Sequence, residues 1–270
     1  MRSSEWVIAV YFAYLIVAAA GRHLVPVQRR MCIASVGAAA LVAVGLLASL
    51  RGSPALQVVR DWAPGLFLLL GYWLSGRFYT APNDRLERWL MRIDARLFAL
   101  KPVAGIATRA PRAALELLEL SYLSCYALVP AIFIVLYVSA DRAVGIRFWT
   151  AVLLSEFICY GLLPWLPSRP PRALERDAPI DRRGLTARSM NLWVLKRISV
   201  QVNTFPSGHV AGSLIAAMIA WTVTPVLGIA TICIALMITV ATVMGRYHYA
   251  ADAVFGALVA VAIFALVLRF

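Results

Sequence analysis

The chain has 270 residues, of which 62% are hydrophobic and 14% are charged, and its mean hydropathy is +0.79. A soluble domain of this size could not bury so much apolar surface, so the composition excludes a soluble protein and predicts an all-α, polytopic integral membrane protein. The net charge of +13 is better explained by membrane topology and anionic lipid headgroups than by a nucleic acid, because the arginines crowd the loops of an apolar chain. We therefore expect the lipid bilayer, and no nucleic acid, as a partner.

Eight apolar segments follow one another along the chain and predict about eight transmembrane helices. They span residues 6–20, 31–50, 62–79, 114–139, 146–163, 209–224, 226–244 and 250–268. The first segment ends in three alanines, as a signal peptide can. The positive charge of Arg2 before the segment is cancelled by the negative charge of Glu5, whereas Arg22 adds a positive charge after it. This distribution favours a retained first span over a cleaved signal.

Residues 82–100 have a different pattern, in which apolar side chains recur at helical spacing and arginines occupy the opposite face. The apolar positions are Leu86, Leu90, Ile93, Leu97 and Leu100, and the basic ones are Arg85, Arg88, Arg92 and Arg96. The pattern predicts an interfacial amphipathic helix in the headgroup plane, and a loop helix packed on the membrane domain is the alternative. In either case we do not expect this helix to be catalytic.

Eight spans place the loops 21–30, 80–113, 164–208 and 245–249 on one face of the membrane. Most of the 26 lysine and arginine residues lie in these loops. The positive-inside rule therefore predicts that this face lies in the cytoplasm, and we expect a plasma (inner) membrane protein.

The pentapeptide Phe205-Pro206-Ser207-Gly208-His209 directly precedes the sixth apolar segment. Ser207 suits the N-cap of the helix, and Gly208 lets the backbone approach a ligand closely. A helix N-terminus offers unpaired N–H groups and a positive dipole end, which favour an anion such as phosphate. His209 is a candidate proton donor in that field, although a capped helix with a histidine near the headgroups is an equally good reading of this motif alone.

A second polar cluster, from Arg246 to Asp252, joins the seventh and eighth segments and falls on the same face as the first. His248 and Asp252 are four residues apart at a helix start, so they share one side of that helix. An aspartate that accepts a hydrogen bond from histidine Nδ1–H leaves Nε2 free as a nucleophile. Alternatively, the two side chains only satisfy each other.

These two motifs resemble the second and third signatures of the type-2 phosphatidic acid phosphatase superfamily, which also includes vanadium haloperoxidases. The third signature ends in His-x-x-x-Asp, and His248 and Asp252 match it. The stretch from Arg246 to Tyr249 looks more like the branch that contains inositol phosphorylceramide and sphingomyelin synthases. The resemblance covers roughly residues 62–270 and implies a six-helix phosphatase-like core. We therefore predict an N-terminal transmembrane hairpin over residues 1–60 and a phosphatase-like catalytic membrane domain over residues 61–270.

The resemblance implies a role for each residue of the two motifs. His248 would attack phosphorus and form a phosphohistidine, with Asp252 orienting its ring. His209 would protonate the leaving oxygen and later activate the acceptor, while Ser207 and the Gly208 amide would bind phosphate oxygens. The sequence contains no HExxH motif and no cysteine–histidine or acidic cluster, so we predict an enzyme without metal or cofactor.

The expected phosphate-binding arginines depart from the family pattern at two places. Thr242 stands where the third signature has an arginine, so we expect Arg246 to bind phosphate instead. The first signature is incomplete, because Leu162 replaces its lysine upstream of Arg169.

The segment Pro170-Pro171-Arg172 resembles the synthase-like branch, so Arg172 is the first candidate from this loop and Arg169 the second. Lys196 and Arg197 could supply the missing charge. Each of these basic residues can equally be a topology or headgroup residue.

The favoured function is hydrolysis of a phosphomonoester or pyrophosphate on a membrane lipid. Headgroup transfer to an alcohol such as a ceramide or a diacylglycerol is the alternative, and the motifs do not separate the two because both reactions use the same residues. A transporter, with Glu156 and the arginines on its path, is the non-enzyme alternative. We expect Glu116, Glu119 and Glu156 to be structural partners rather than catalysts. Glu156, which lies inside the fifth segment, could pair with an arginine or line a polar cavity.

Overall fold

The structure is a computed structural model that describes residues 1–22, 25–50, 53–100, 109–175, 180 and 183–269. This part of the chain forms eleven α-helices and no strand, with one isolated antiparallel bridge between Ser168 and Asn203. The helices are α1 (Ser3–Gly21), α2 (Val27–Ser49), α3 (Pro54–Gly76), α4 (Asp84–Phe98), α5 (Arg112–Ser139), α6 (Arg142–Gly161), α7 (Pro171–Leu174), α8 (Thr186–Ile198), α9 (Gly208–Val223), α10 (Pro225–Met244) and α11 (Ala250–Val267). The all-α fold class is confirmed.

All eight predicted apolar segments are helical, and they correspond to α1, α2, α3, α5, α6, α9, α10 and α11. Six of these helices (α1, α2, α5, α6, α10 and α11) are long and apolar enough to cross a membrane. Of the other two, α9 is apolar but only 16 residues long, and α3 carries Arg60 and Asp61 near its start. Large apolar side chains such as Val138 and Val226 are exposed on the outside of the bundle, as expected for a surface in contact with lipid. The chain is therefore a polytopic membrane protein.

Helix α9 occupies the centre of the bundle and packs against α5, α6, α10 and α11. Nearly every residue from Gly208 to Ala220 is buried or half-buried, which explains why this short helix is apolar on all sides. Close packing is possible because the facing residues are small. A Cβ at Gly256 of α11, for example, would lie 2.6 Å from the carbonyl oxygen of Ser207. The helix that follows the first motif is thus held directly against the helix that follows the second.

The first two helices pack on the rest of the bundle mainly through α1, and α2 also contacts α3. The ring of Tyr11 stacks on Phe157 of α6 with centroids 3.8 Å apart, and its hydroxyl donates a hydrogen bond to the carbonyl oxygen of Gly71 at 3.3 Å. Helix α3 begins at Pro54, so the predicted domain boundary between residues 60 and 61 falls inside a helix. The division into a hairpin and a catalytic domain remains a prediction.

The predicted amphipathic helix is present as α4. Its N-cap is Asn83, whose side chain accepts a hydrogen bond from the backbone N–H of Leu86 at 3.1 Å. The buried stripe of the helix consists of Glu87, Leu90 and Asp94, and it packs against the start of α11. The predicted arginines Arg85, Arg88, Arg92 and Arg96 are all exposed. The helix is therefore packed on the membrane domain with its basic face outward.

The long basic loop after α6 contains two helices, α7 and α8, that the apolar pattern did not predict. The side chain of Glu116 on α5 accepts hydrogen bonds from the backbone N–H groups of Thr186 and Ala187, at 2.8 and 2.9 Å. A carboxylate at this position satisfies free N–H groups and complements the dipole of α8. Glu116 is thus a structural partner, as expected.

Candidate active site

The two sequence motifs meet at the N-terminal ends of α9 and α11. The backbone N–H of Ser207 donates a hydrogen bond to the carbonyl oxygen of Asp252 at 3.0 Å, which joins the two helix starts. The rings of His209 and His248 lie with their centroids 5.5 Å apart and their planes nearly perpendicular, at 86°. The structure therefore brings together the two histidines that the sequence singled out.

His248 is paired with Asp252 as predicted, although His248 lies in the turn that precedes α11 and only Asp252 lies on the helix. The distance from His248 Nδ1 to Asp252 Oδ2 is 3.3 Å, and the same oxygen accepts the backbone N–H of Tyr249 at 2.9 Å. Burial, together with the positive charge of Arg172, lowers the pKa of His248 to about 3. A neutral imidazole that donates from Nδ1–H carries a lone pair on Nε2, and Nε2 has no hydrogen-bond partner among the described residues. This arrangement is the one that the predicted nucleophilic role of His248 requires.

The turn that carries His248 is held at the end of α10. The carbonyl oxygen of Thr242 accepts hydrogen bonds from the backbone N–H groups of both Tyr247 and His248, at 2.9 and 3.0 Å. Arg246 closes this turn with a φ of +59°, a left-handed conformation that costs a non-glycine residue free energy. The ring of Tyr247 stacks on Tyr122 of α5 with centroids 3.6 Å apart. Backbone and ring contacts together fix the position of the histidine.

Arg246 is engaged in two ion pairs rather than open to the site. Its Nη1 lies 2.6 Å from Asp94 Oδ2, and its Nε lies 2.8 Å from Glu175 Oε2. The side chain is also largely buried, at 8% exposure for the residue. Two carboxylates thus already occupy this guanidinium and would compete with a phosphate for it.

Three other basic candidates, Arg169, Lys196 and Arg197, do not line the cavity that contains the histidines. Arg169 donates from Nη2 to Glu87 Oε1 at 2.6 Å, and this hydrogen bond lowers the pKa of Glu87. Lys196 and Arg197 are exposed in the last turn of α8, where Arg197 lies over the ring of Trp193. Arg197 lines a different cavity from the one that contains the histidines.

Arg172 is the basic candidate that the structure brings to the histidines. It follows Pro171 at the start of α7, where its backbone N–H donates to the carbonyl oxygen of Arg246 at 3.0 Å and its Nη1 to that of Tyr247 at 3.3 Å. No carboxylate pairs with it in the part of the chain that the structure describes. Arg172, His209, His248 and Gly208 line one small cavity of about 20 Å³.

Ser207 and Gly208 form the N-terminal end of α9, as predicted. The Ser207 hydroxyl is the N-cap and accepts the backbone N–H of Val210 at 3.4 Å. Gly208 has no room for a side chain, because a Cβ there would lie 2.5 Å from Glu156 Oε2 and 2.8 Å from the ring of Tyr160. The first turn of the helix therefore presents bare backbone to the cavity that holds Arg172 and both histidines.

A comparison with protein-family models matches residues 88–266 to a model described as the PAP2 superfamily. The matched range runs from within α4 to the end of α11, so it includes both histidine motifs. The chain belongs to the PAP2 superfamily. Members of this superfamily are generally phosphatases or phosphotransferases, which supports a phosphatase-like function. No curated protein and no solved structure matches the chain.

The comparison confirms the family that the motifs suggested, while the synthase-like branch remains a prediction. The roles of the individual residues in this PAP2 protein also remain predictions, and the geometry leaves Arg172 as the basic candidate beside the two histidines. Among the described residues, no three histidine, cysteine, aspartate or glutamate side chains are grouped as metal ligands. Metal independence also remains a prediction.

Two carboxylates of α4 that were not predicted as part of the site hold arginines next to it in this PAP2 protein. Asp94 pairs with Arg246 and also accepts the backbone N–H of Ala250 at 2.8 Å, while Glu87 holds Arg169. Burial raises the pKa of Asp94. The sequence could have predicted this role, because Glu87 and Asp94 lie at helical spacing on the same side of the helix as Leu90. Two acidic residues therefore belong to the stripe that faces the protein. An acid on the apolar side of an amphipathic helix indicates a buried cationic partner.

Two further carboxylates of the PAP2 protein face the core, and they differ in their partners. Glu119 accepts hydrogen bonds from Asn191 Nδ2 at 2.7 Å and from the Tyr247 hydroxyl, and it pairs with Arg188 at 3.4 Å. It is a structural partner, as expected. Glu156 Oε2, by contrast, is buried without a hydrogen-bond partner among the described residues, and the Glu156 side chain lines a cavity, which is one of the two settings that the sequence left open for it.

Proposed function

We propose that this PAP2 protein hydrolyses a phosphomonoester or a pyrophosphate on a membrane lipid through a phosphohistidine intermediate. The observation that carries the proposal is the pairing of His248 with Asp252 at 3.3 Å, with the His209 ring 5.5 Å from the His248 ring. A nucleophile, its orienting carboxylate and a second histidine are the groups that phosphoryl transfer without a metal needs.

The first step would transfer the phosphoryl group to the enzyme. Nε2 of His248 attacks phosphorus while the bond between phosphorus and the leaving lipid oxygen breaks, and His209 donates a proton to that oxygen. The negative charge of the bound phosphate favours the protonated form of His209. Asp252 stabilises the positive charge that develops on the His248 ring, because Nδ1–H points at its carboxylate.

The second step would regenerate the free histidine. A water molecule gives a proton to His209 as its oxygen attacks phosphorus, the bond between phosphorus and His248 Nε2 breaks, and inorganic phosphate leaves. His209 therefore acts as an acid in the first step and as a base in the second. Both steps use the same pair of rings and the same stabilising groups.

Charge on the equatorial phosphate oxygens would be stabilised by Arg172 and by the first turn of α9. Arg172 supports this role better than Arg246 does, since its guanidinium has no carboxylate partner in the described part of the chain whereas that of Arg246 has two. The Gly208 amide lies at the positive end of the helix dipole beside the same cavity. The Ser207 hydroxyl caps α9 and keeps that helix end in place.

An apolar cavity supports a lipid as the substrate class. It has a volume of about 550 Å³, is lined mainly by residues of α3, α5 and α6, and includes His209 in its wall. This volume is in the usual range for a small-molecule site. A lipid could therefore place its chain among apolar side chains while its phosphate lies between the histidines.

Headgroup transfer is the second candidate function. It would use the same phosphohistidine, with an acceptor alcohol in place of water as the group that His209 deprotonates. The observation in its favour is that two segments of the sequence resemble the synthase-like branch. They are the segment from Arg246 through Tyr249 and the segment Pro170-Pro171-Arg172.

We also propose that the active site faces the cytoplasm of the inner membrane. The two histidine motifs, which follow Asn203 and Met244, lie at the same end of the bundle as the arginine-rich loops. Basic loops favour the cytoplasmic side, which supports this orientation.

The test uses purified protein in mixed micelles with a panel of labelled lipid phosphates, phosphatidylinositol and a ceramide. Free phosphate and new phospholipid are measured in the same reactions, with the His248→Ala variant as the blank. Phosphate release that depends on His248 supports a phosphatase, and new phospholipid without free phosphate establishes a transferase. Phosphate release that persists in a folded His248→Ala variant contradicts the mechanism.

A further inference from the structure

Glu156 stands out in the wall of the 550 Å³ cavity because that wall is otherwise mostly apolar. Helix α3 contributes Trp62, Leu66 and Leu69 to the lining, and His209 lies in the wall with Glu156. The Tyr72 hydroxyl also reaches the lining but already donates a hydrogen bond to Ser199 at 3.2 Å. The Glu156 carboxyl is therefore a polar group that can accept a further hydrogen bond, and it lies in the same cavity wall as a candidate catalytic histidine.

The carboxyl of Glu156 is buried with one oxygen unsatisfied. The residue is only 6% exposed, and Oε2 has no hydrogen-bond partner among the described residues although the Tyr160 hydroxyl interacts with this side chain. A buried acceptor without a partner is unfavourable, and native proteins keep such groups where a ligand or water completes them.

Two glycines of α9 make the room for this carboxyl. A Cβ at Gly212 would overlap Glu156 Oε1, and a Cβ at Gly208 would lie 2.5 Å from Oε2. Gly208 and Gly212 are four residues apart, so they form one bare strip on the same side of the helix. The Glu156 carboxyl therefore lies against Gly208, the residue immediately before His209. The part of a bound lipid next to its phosphate would lie in this same region.

We propose that Glu156 accepts a hydrogen bond from a hydroxyl or amide N–H of the bound lipid, close to the phosphate. This inference rests on the proposed function and adds the substrate class: a phosphorylated lipid whose backbone carries such a donor. A monoacylglycerol phosphate offers a free hydroxyl, and a phosphorylated ceramide offers a hydroxyl and an amide N–H. A polyprenyl phosphate offers neither. A carboxyl keeps acceptor lone pairs whether or not it is protonated, so the proposal does not depend on its charge.

Turnover of two matched lipids tests the proposal. One is a monoacylglycerol phosphate, and the other is its deoxy analogue, in which hydrogen replaces the free hydroxyl. We expect the wild-type protein to prefer the hydroxyl lipid about tenfold in kcat/KM, because the analogue leaves the carboxyl unpaired. Glu156→Leu should reduce the preference to about one, and Glu156→Gln, which keeps an acceptor, should retain most of it. A ceramide phosphate and its deoxy analogue, run in parallel, show which kind of backbone supplies the donor.

A binding measurement separates this inference from the proposed function. The same lipids with brominated acyl chains quench the fluorescence of tryptophans in the cavity wall, among them Trp62, Trp73 and Trp149. Quenching is measured on His248→Ala, which should not turn over, with and without Glu156→Leu. Binding that prefers the donor lipid about tenfold and loses that preference in Glu156→Leu supports the inference even if no lipid releases phosphate.

Two results would overturn the proposal. One is equal binding of the donor and deoxy lipids by protein that has the native Glu156, a measurement that does not require any Glu156 variant to fold. The other is a preference that survives Glu156→Leu.

Discussion

Asp94 of α4 and Arg246 of the turn before α11 form a buried ion pair of 2.6 Å across 152 positions of the sequence. The same aspartate accepts the backbone N–H of Ala250, so it holds both ends of the turn that carries His248. An amphipathic helix that carries no candidate catalytic group thereby fixes the position of the candidate nucleophile.

The first prediction concerns that ion pair. Asp94→Asn should lower the melting temperature, because it removes one of the two carboxylates that pair with a buried guanidinium. Loss of every partner would cost about 3–5 kcal/mol, and the expected loss is smaller because Glu175 remains. It should also lower kcat about tenfold or more by loosening the turn of His248. Thermal unfolding in detergent and steady-state kinetics measure the two effects. The matched control is Asp84→Asn in the first turn of the same helix, which is exposed and has no ion pair among the described residues. Equal behaviour of the two variants would show that the pair does not support the site.

The second prediction separates the roles of the two histidines. With lipid phosphate labelled on phosphorus, the wild-type protein should carry acid-labile label, and His248→Ala should carry none. His209→Ala should slow turnover by about 10²–10⁴-fold, because the leaving oxygen loses its proton donor. With a leaving group of low pKa, His209→Ala should still become labelled, since that group needs no proton. Label on a His248→Ala protein would assign the nucleophile to another residue.

The third prediction ranks the basic candidates. Arg172→Ala should lower kcat/KM about 10²–10³-fold, as expected when a preorganised donor to phosphate oxygens is removed. Arg197→Ala changes the charge equally but lies over Trp193 in a separate cavity, so it should change kcat/KM less than about threefold. Steady-state kinetics on one lipid phosphate compare the two variants. Similar losses in both would indicate a general effect of charge at the membrane surface.

The fourth prediction concerns pH and stability. His248 has a pKa of about 3 in the folded protein because it is buried next to Arg172, against an ordinary value of 6.5. As the pH falls below 6.5 the unfolded chain takes up a proton that the folded chain does not, so the stability present above pH 6.5 is lost progressively towards pH 3. At pH 5 the loss amounts to about 2 kcal/mol. Unfolding midpoints at pH 7 and pH 5 should therefore fall further apart for the wild type than for His248→Gln. An equal pH dependence of the two proteins would contradict a buried neutral His248.

The fifth prediction is that a chelator leaves phosphate release unchanged. The proposed steps use only histidine, aspartate, arginine and backbone groups, so none of them needs a metal ion. Activity is measured before and after dialysis against chelator, and a metal-dependent phosphatase in the same buffer serves as the positive control. Activity that is lost with chelator and restored by a divalent cation would contradict the proposed mechanism.

Much of the fold and the heart of the candidate site follow from local patterns. All eight apolar segments are helices, because a backbone in an apolar medium has no water for its N–H and C=O groups and an α-helix satisfies them within the segment. The amphipathic helix predicted over residues 82–100 is α4, Asp84–Phe98. The spacing of four between His248 and Asp252 predicted their contact, but His248 lies in the turn before α11 rather than on that helix, so the contact runs from the turn to the first turn of the helix.

The tertiary structure alone decided which charged groups are free. By sequence, Arg246 and Arg172 were both candidates for phosphate, yet Asp94 and Glu175 pair with Arg246, while Arg172 lies beside the histidines without a carboxylate partner in the described part of the chain. In the same way, Glu119 has partners on α8, whereas Glu156 Oε2 lies against the bare glycine strip of α9 without a hydrogen-bond partner among the described residues. Helix periodicity is a property of neighbouring residues, so the sequence determined it. The pairing of a buried charge depends on side chains brought together from distant parts of the chain, and only the packed bundle decides which of them meet.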